Sequence, residues 1–121
     1  LLLRMRFSHK MTTVELVCDG KGCIRRCKAN GHAAFSRNGS DIVCAAESVL
    51  FNTVLELLSE TEGVVLETDK SSRGNLAFSV EDKGSCNTER LRCMADFLRC
   101  GLCSIAEQYP EHVLLREITE D

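Results

Sequence analysis

The sequence lacks the features that mark membrane-spanning, disordered and multidomain proteins. Of 121 residues one is proline and none is tryptophan, and we find no linker, low-complexity stretch or convincing repeat. No apolar run approaches the roughly 18 residues that a transmembrane helix requires. The hydrophobic share of 44% and the charged share of 27% are those of an ordinary globular protein. We therefore expect a single domain and no membrane partner.

The chain also lacks an excess of positive charge. Its 15 basic and 18 acidic residues give a formal net charge of −3. Residues 1–37 hold eight basic and two acidic residues, whereas residues 38–121 hold seven and sixteen. Affinity for nucleic acid comes mainly from Lys and Arg, so we expect no direct nucleic-acid partner. The acidic part suits a basic peptide or protein, unless it is simply a solvated surface.

No export signal is recognisable at the beginning of the sequence. The apolar run Leu1–Leu3 is shorter than the roughly 7–15 residues of a signal-peptide core. Met11 resembles a natural start, so we interpret residues 1–10 as an extension outside the fold and residues 11–121 as the domain. Without an export signal we expect a cytoplasmic protein with reduced cysteines.

The hydrophobic pattern predicts the element order β-β-α-β-β-α-β. The predicted strands are residues 12–17, 23–30, 63–68, 75–82 and 112–118. The first predicted helix begins after an N-cap at Asp41 and ends near Ser59, and the second spans about residues 88–108. Strand pairs that alternate with single helices favour an α+β fold, with two helices packed on a largely antiparallel sheet.

The same pattern predicts which side chains share a face. In the first strand Val14 and Leu16 lie together. In the second strand one face holds Cys23, Arg25, Cys27 and Ala29, and the other holds Ile24, Arg26 and Lys28. The first helix has the periodic set Val43, Ala46, Leu50, Val54 and Leu57, with further apolar residues around it, so we expect much of it to be buried. The second helix has the apolar set Leu91, Ala95, Leu98, Leu102, Ile105 and Tyr109.

What the chain does have is eight cysteines. Cysteine is often a small buried apolar residue, so most of these need no chemical function. Cys100 and Cys103 form a Cys-x-x-Cys pair, which allows the interpretation of a zinc site or of a redox pair. In a zinc site the further ligands are Cys93, or the strand residues Cys23 and Cys27. The pair lies near the end of a helix, whereas a redox pair normally begins one. We therefore expect no metal and no other cofactor, and keep a metal or redox protein that uses Cys100 and Cys103 as the alternative.

Cys44 differs from the other cysteines in its position. With Asp41 as the N-cap, Cys44 lies in the first helical turn, where free N–H groups and the helix dipole stabilise a thiolate. A nucleophile also needs a base, usually histidine. His32 lies at the end of the second strand, and a Gly-rich loop connects it to Cys44. A His32–Cys44 dyad is one interpretation, and a loop histidine with a buried cysteine is the other.

The two motifs around these residues resemble one protein family. The first motif is Gly31-His32-Ala33. Eleven residues separate His32 from Cys44, which lies in the second motif, Asp41–Ala46, and Ser48 follows that motif. This pair of motifs is similar to the Prp (YsxB-like) family of bacterial ribosomal-processing cysteine proteases. The similarity extends over about residues 12–118, through Gly101-Leu102 to Tyr109-Pro110.

The resemblance implies a specific activity. It implies an endopeptidase with a His32–Cys44 dyad, an α+β fold and a homodimer. Its substrate is then the apolar, aromatic N-terminal extension of a large-subunit ribosomal protein near the peptidyl-transferase centre. Asp41 and Ser48 are implied members of the site, with Gly31 and Ala33 beside the histidine. A non-catalytic, ribosome-associated binding protein of the same fold is a further alternative.

Overall fold

A computed structural model describes residues 11–31, 39–70 and 75–120, and for residues 39–41 the backbone only. The predicted extension 1–10 and the candidate residues His32 and Ala33 lie outside the described residues. The elements are β1 (Thr12–Cys18), β2 (Ile24–Asn30), α1 (Gly39–Ser59), β3 (Val64–Asp69), β4 (Asn75–Asp82), α2 (Thr88–Gln108) and β5 (Val113–Thr119). The predicted element order is confirmed.

The five strands form one sheet in the order β3-β4-β2-β1-β5. The pairs β1–β2, β2–β4 and β3–β4 are antiparallel, and β1 and β5 are parallel. The predicted, largely antiparallel α+β fold is therefore confirmed. These directions bring the end of β2 beside the beginnings of β1, β4 and β5, because Asn30 pairs with both Thr13 and Asn75, and Thr12 pairs with Val113.

Both helices pack on one face of the sheet. Val14 and Leu16 of β1 lie in the main core with Phe78 of β4, and α1 and α2 contribute Phe51 and Leu98. The predicted side of α2 is confirmed, because its buried residues are Leu91, Met94, Ala95, Leu98, Leu102 and Ile105. The opposite face of the sheet is polar over much of its area, since register places Glu15, Lys28 and Arg116 there.

The predicted face of Ile24 in β2 is wrong. Ile24 is fully buried in the core together with Cys27, although the alternation assigned these residues to opposite faces. The register shifts between Val17 and Cys18, so that Val17 pairs with Arg26 and Cys18 with Ile24. The extra residue, Arg25, has no partner in the ladder and pairs instead with Asp19 at 3.0 Å. A β-bulge of this kind shifts the alternation of the strand by one residue, which turns Ile24 to the core face.

The buried side of α1 agrees with the predicted one only in part, since Val43 and Val54 are buried as predicted but Leu57 is not. The buried residues are Val43, Glu47, Phe51, Val54 and Leu58, while Leu57 is 38% and Val49 is 65% exposed. Ala46 and Leu50 are half-buried. The expectation that much of the helix is buried is wrong, because apolar residues surround α1 and only packing against the sheet selects one side.

The apolar character of α1 has a second consequence. Residues Ile42–Ser59 have a mean hydropathy of 1.6 over 18 residues, which by length and composition is enough to cross a membrane. The expectation that no such stretch exists is therefore wrong, because isolated polar residues interrupt the apolar run without lowering its average. In this fold the buried side of the stretch, including Phe51 and Leu58, packs into the core of the sheet and α2.

Gly31, directly after β2, has a backbone conformation that other residues rarely adopt. Its φ is +88°, and a Cβ built on it would lie 2.9 Å from the Met11 carbonyl oxygen. Both the left-handed conformation and the close approach to the backbone require glycine. The chain therefore leaves the sheet at this point in a direction that depends on this residue.

We predict that Gly31→Ala lowers the free energy of unfolding by about 1–3 kcal/mol, through backbone strain and the contact with Met11. Urea denaturation measures the change. Gly20→Ala is the control, because Gly20 is exposed in the β1–β2 turn without a positive φ. Equal stability of the Gly31 variant and the wild type would contradict the prediction.

Candidate active site

The candidate site lies at the end of the sheet where β2 finishes and β1 and β5 begin. The amide of Thr12 donates a hydrogen bond of 2.8 Å to the His112 carbonyl oxygen, which ties the beginnings of β1 and β5 together. Gly31 lies against the backbone of Met11 at the same end. The chain re-enters the described structure at Gly39, where α1 begins. Gly31, the described residue of the first predicted motif, therefore lies at this end of the sheet.

Cys44 lies in a small apolar cluster at this end. It is half-buried and packs against a group formed by Val43, Ile105 and Val113, so α1, α2 and β5 all contribute to its surroundings. Tyr109, just beyond α2, packs against the same cluster. Cys44 thus packs against apolar side chains while part of the residue remains accessible.

The N-terminus of α1 differs from the prediction. The helix begins at Gly39, so Asp41 lies inside its first turn and is not the N-cap, and Cys44 lies in the second turn. An acidic residue is favourable anywhere in the first turn, so its presence does not identify the first residue of the helix. The N–H groups without a helical acceptor belong to the first four residues, which lie in the turn before Cys44.

Ser48 is half-buried in α1, four residues after Cys44. Residues at this spacing are neighbours on a helix surface, so Cys44 and Ser48 share a side of α1. Gly31 lies at the same end of the sheet, as described above. Of the predicted site residues, the structure therefore places Gly31, Cys44 and Ser48, and it places Asp41 by its backbone.

The other seven cysteines lie in different surroundings. Cys18, Cys23 and Cys27 are buried between the strands and the helices. Burial raises the pKa of all three thiols, that of Cys27 to about 12, so they are poor nucleophiles at neutral pH. The remaining residues, Cys86, Cys93, Cys100 and Cys103, are exposed. Cys44 is the cysteine that combines partial accessibility with a position at the strand ends.

The structure gives no support to a metal centre built on the Cys-x-x-Cys pair. Within residues 11–31, 39–70 and 75–120, no three His, Cys, Asp or Glu side chains are grouped so that they could hold a metal ion. Cys100 and Cys103 lie on the outer side of α2, while Cys23 and Cys27 lie in the core. The two sets of predicted alternative ligands therefore lie on opposite sides of the helix layer, one facing outwards and the other between the helices and the sheet.

Sequence reasoning missed two features of this end of the fold. His112 directly precedes Val113, and its ring meets that of Tyr109 edge to face with 6.4 Å between centroids. Glu47 is fully buried, three residues after Cys44. The sequence signal for the burial of Glu47 is its spacing. Glu47 lies four residues after Val43 and four before Phe51, at a position where the buried side of a helix normally has an apolar residue.

Comparison with known proteins identifies the family and similar structures. The family described as "Cysteine protease Prp" matches residues 11–114. SMU.848 from Streptococcus mutans is similar in structure, with a TM-score of 0.73 and 24% identity over 92% of this chain and 97% of that one. A search of curated proteins finds no significant match.

Two further similar structures are of the ribosomal processing protease Prp from S. aureus. The complex with a substrate peptide has a TM-score of 0.74 and 19% identity, covering 88% of this chain and 99% of that one. The form with a covalently linked product peptide has a TM-score of 0.71 and 20% identity over the same shares. At such identities the likeness of the structures establishes the fold, and the family match extends over most of the sequence. The chain therefore belongs to the Prp family and is a cysteine protease.

Proposed function

We propose that this protease removes the N-terminal extension of a large-subunit ribosomal protein, with Cys44 as nucleophile and His32 as its base. The observation that carries the proposal is the position of Cys44, half-buried at the end of the sheet, in a chain of this family. The similar S. aureus enzyme is a ribosomal processing protease that binds a substrate peptide. The structural likeness to that enzyme supports the proposal that this protein also cleaves a peptide segment of a ribosomal protein.

The residues suit a two-step acyl transfer. His32 takes the proton of the Cys44 Sγ, and the thiolate attacks the scissile carbonyl carbon to form a tetrahedral oxyanion. The N–H groups of the first turn of α1 supply hydrogen-bond donors for that oxyanion. The imidazolium then gives its proton to the leaving amine, and water hydrolyses the thioester to release the peptide and the free thiol.

Asp41 and Ser48 have supporting roles in this proposal. Asp41 lies in the first turn of α1, where a carboxylate stabilises the helix that carries the nucleophile. Ser48 is beside Cys44 on the helix surface, where its hydroxyl can position the thiol or the substrate backbone. Gly31, which directly precedes His32 and Ala33 in sequence, sets the direction in which the chain leaves β2.

The charge distribution favours a basic substrate protein. Residues 38–121 contain sixteen acidic and seven basic residues. Arg99, one of these seven, is shared by the two carboxylates of Asp96 and Glu117, so an excess of negative charge remains around it. The remaining negative surface attracts the basic body of a ribosomal protein while the apolar extension is cleaved. A ribosomal substrate also implies a cytoplasmic location, which stays a prediction.

We predict that Cys44→Ala abolishes cleavage of the extended ribosomal protein from the same organism, with a loss of at least about 1,000-fold, because the acyl-enzyme cannot form. Mass spectrometry of the product measures cleavage. Cys103→Ala is the matched control and should cleave like the wild type, since Cys103 is exposed on α2. Cleavage by Cys44→Ala at the wild-type rate would refute the assignment. A wild type that binds the extension without turnover would instead indicate a binding protein.

A second pair of variants tests the base. His32→Ala should lower kcat/KM by at least about 100-fold, which is the usual contribution of a general base. His112→Ala is the comparison, because His112 also lies at this end of the fold. The measurement is kcat/KM with the same substrate and with thermal unfolding as a control for folding. If only the His112 variant loses activity, His112 is the base and the predicted dyad is wrong.

We propose, as the family resemblance implies, that the protein forms a homodimer, and the exposed apolar side of α1 is suited to the contact. Ile42 and Val49 are 56% and 65% exposed, and Leu57 lies further along the same helix at 38%. A second copy that covers these residues would remove apolar surface from water.

We predict that Val49→Asp shifts the mass in solution from a dimer to the 13.4 kDa monomer, because a buried charge opposes association. Size-exclusion chromatography with light scattering measures the mass. Glu89→Ala, at an exposed position in the first turn of α2, should remain dimeric. A wild type that is monomeric at micromolar concentration would contradict the proposal.

A further inference from the structure

The outer side of α2 carries two cysteines that lie about one helical turn apart. Cys100 and Cys103 are both exposed, and both line a groove of about 560 Å³ on the outside of the helix. Cysteine is among the residue types most often buried, and an exposed thiol is open to oxidation. A groove of this volume is large enough to admit a small molecule. The two thiols are therefore placed to react with the same small molecule.

The spacing of the pair allows an intramolecular disulfide. In an α-helix the Cα atoms of residues i and i+3 are about 5 Å apart, within the roughly 4.4–6.8 Å that a disulfide spans. Their Cβ atoms are about 5–6 Å apart, whereas a disulfide brings them to about 3.5–4.5 Å. The turn between Cys100 and Cys103 must therefore rearrange when the bond forms. Cys93 lies about 10 Å from Cys100 along the helix and is too distant to take part.

The turn that must rearrange is also a place where α2 touches α1. Gly101 lies between the two cysteines, and a Cβ built on it would lie 2.8 Å from both Cδ atoms of Leu50. Glycine is also the residue that holds a helical turn least firmly, so this turn is the easiest part of α2 to distort. Leu50 packs against the main core and against the small apolar cluster around Cys44. A change at Gly101 therefore reaches the surroundings of Cys44 through one side chain.

The same turn leads directly into a residue of the Cys44 cluster. Leu102, also between the two cysteines, is fully buried in the main core. Ile105 follows three residues later and belongs to the cluster against which Cys44 packs. Because interiors are closely packed, a distortion of residues 100–103 displaces the side chains that follow it in the helix. Both routes from the cysteine pair therefore end at Cys44.

We propose that Cys100 and Cys103 are an oxidation site for a small-molecule disulfide, and that the bond between them slows the reactions of Cys44. One thiol gives up its proton and attacks the small disulfide, which forms a mixed disulfide and releases one small thiol. The other cysteine attacks the protein sulfur of the mixed disulfide, and the second small thiol leaves. The protein loses two electrons and two protons, and the small disulfide gains them.

Such a bond is a signal and not a structural link, because disulfides in a reducing compartment are usually transient. The groove leaves both sulfurs accessible, so a small thiol reverses the reaction by the same steps. The consequence for peptide cleavage rests on the proposed function, in which Cys44 is the nucleophile.

The first test is treatment of the reduced protein with glutathione disulfide, followed by trypsin digestion and mass spectrometry. Trypsin cuts after Arg99 and Arg116, so the peptide 100–116 contains Cys100 and Cys103 and no other cysteine. We expect this peptide to lose two hydrogen atoms, to carry no glutathione and to return to the reduced form with dithiothreitol. The peptide 93–99, which contains Cys93 alone, is the internal reference for a single exposed thiol. A peptide 100–116 that stays reduced, or that keeps glutathione on its cysteines, overturns the proposal.

The second test is the rate at which iodoacetamide alkylates Cys44 after glutathione has been removed. Cys44 is the single cysteine of the tryptic peptide 38–70, so its alkylation is measured separately. We expect oxidation to lower the rate by at least about tenfold, since a displacement of about 1 Å at a reacting group can cost about 100-fold. Cys93→Ser is the matched control, because it removes an exposed cysteine of α2 but keeps the pair, and it should respond like the wild type.

The double variant Cys100→Ser/Cys103→Ser cannot form the bond, so its Cys44 should react at the same rate before and after the treatment. Its urea midpoint, compared with that of the wild type, shows that the exposed substitutions leave the fold intact. Equal slowing in the double variant means that glutathione disulfide acts on Cys44 directly, and it overturns the proposal. An unchanged Cys44 rate in a wild type whose pair is oxidised also overturns it.

Neither test needs a peptide substrate, so this proposal and the proposed function fail separately. A wild type that cleaves no ribosomal extension, but whose oxidised pair slows Cys44, refutes the proposed substrate and supports the oxidation site. A wild type that cleaves the extension at the same rate with the pair reduced and oxidised supports the proposed function and refutes the effect of the pair.

Discussion

The pairing of β1 with both of its neighbours is the constraint on which the site depends. β1 is antiparallel to β2 and parallel to β5, and its inward side chains Val14 and Leu16 are almost completely buried. Because of these directions, the end of β2 and the beginning of β5 meet at one end of the sheet. The two segments are more than 80 residues apart in sequence. Without this long-range pairing, Val113 would not support Cys44 and Gly31 would not lie beside them.

The first helix combines two demands that oppose each other. One side must be apolar to pack on the sheet, and Val54 and Leu58 satisfy that requirement. In the proposed mechanism the N-terminal turns present a reactive thiol and N–H donors to a peptide, which requires polar groups near the same surface. Glu47 lies where the two regions meet, on the buried side but close to Cys44.

Much of the fold was predictable because its signals are local. The order of strands and helices follows from apolar periods and from turn residues, and α2 shows a clear side from Leu91 to Ile105. α1 was harder, because apolar residues lie around most of its circumference and several of its sides could be buried. The bulge at Arg25 was also beyond prediction, since it depends on how β2 pairs with β1 and not on the sequence of β2 alone.

The candidate nucleophile was predictable in part. The spacing of His32 and Cys44 and the resemblance of their motifs identified the family without any structure, and the family match confirms that membership. Neither observation shows which other residues surround Cys44. Tyr109 reaches its cluster from the end of α2, and Val113 reaches it from β5. These neighbours come from distant segments, so no local pattern contains them.

The sequence by itself therefore determined the family and the element order, and it predicted Cys44 as the nucleophile among eight cysteines, because these depend on motifs and on local periodicity. Tertiary structure decided which side of α1 is buried, which thiols are accessible and which residues surround Cys44. The physical reason is that burial is a property of pairs of elements. A helix with apolar residues on several sides has no preferred face until the sheet covers one, and in this protein that choice buries Glu47 and leaves Val49 exposed.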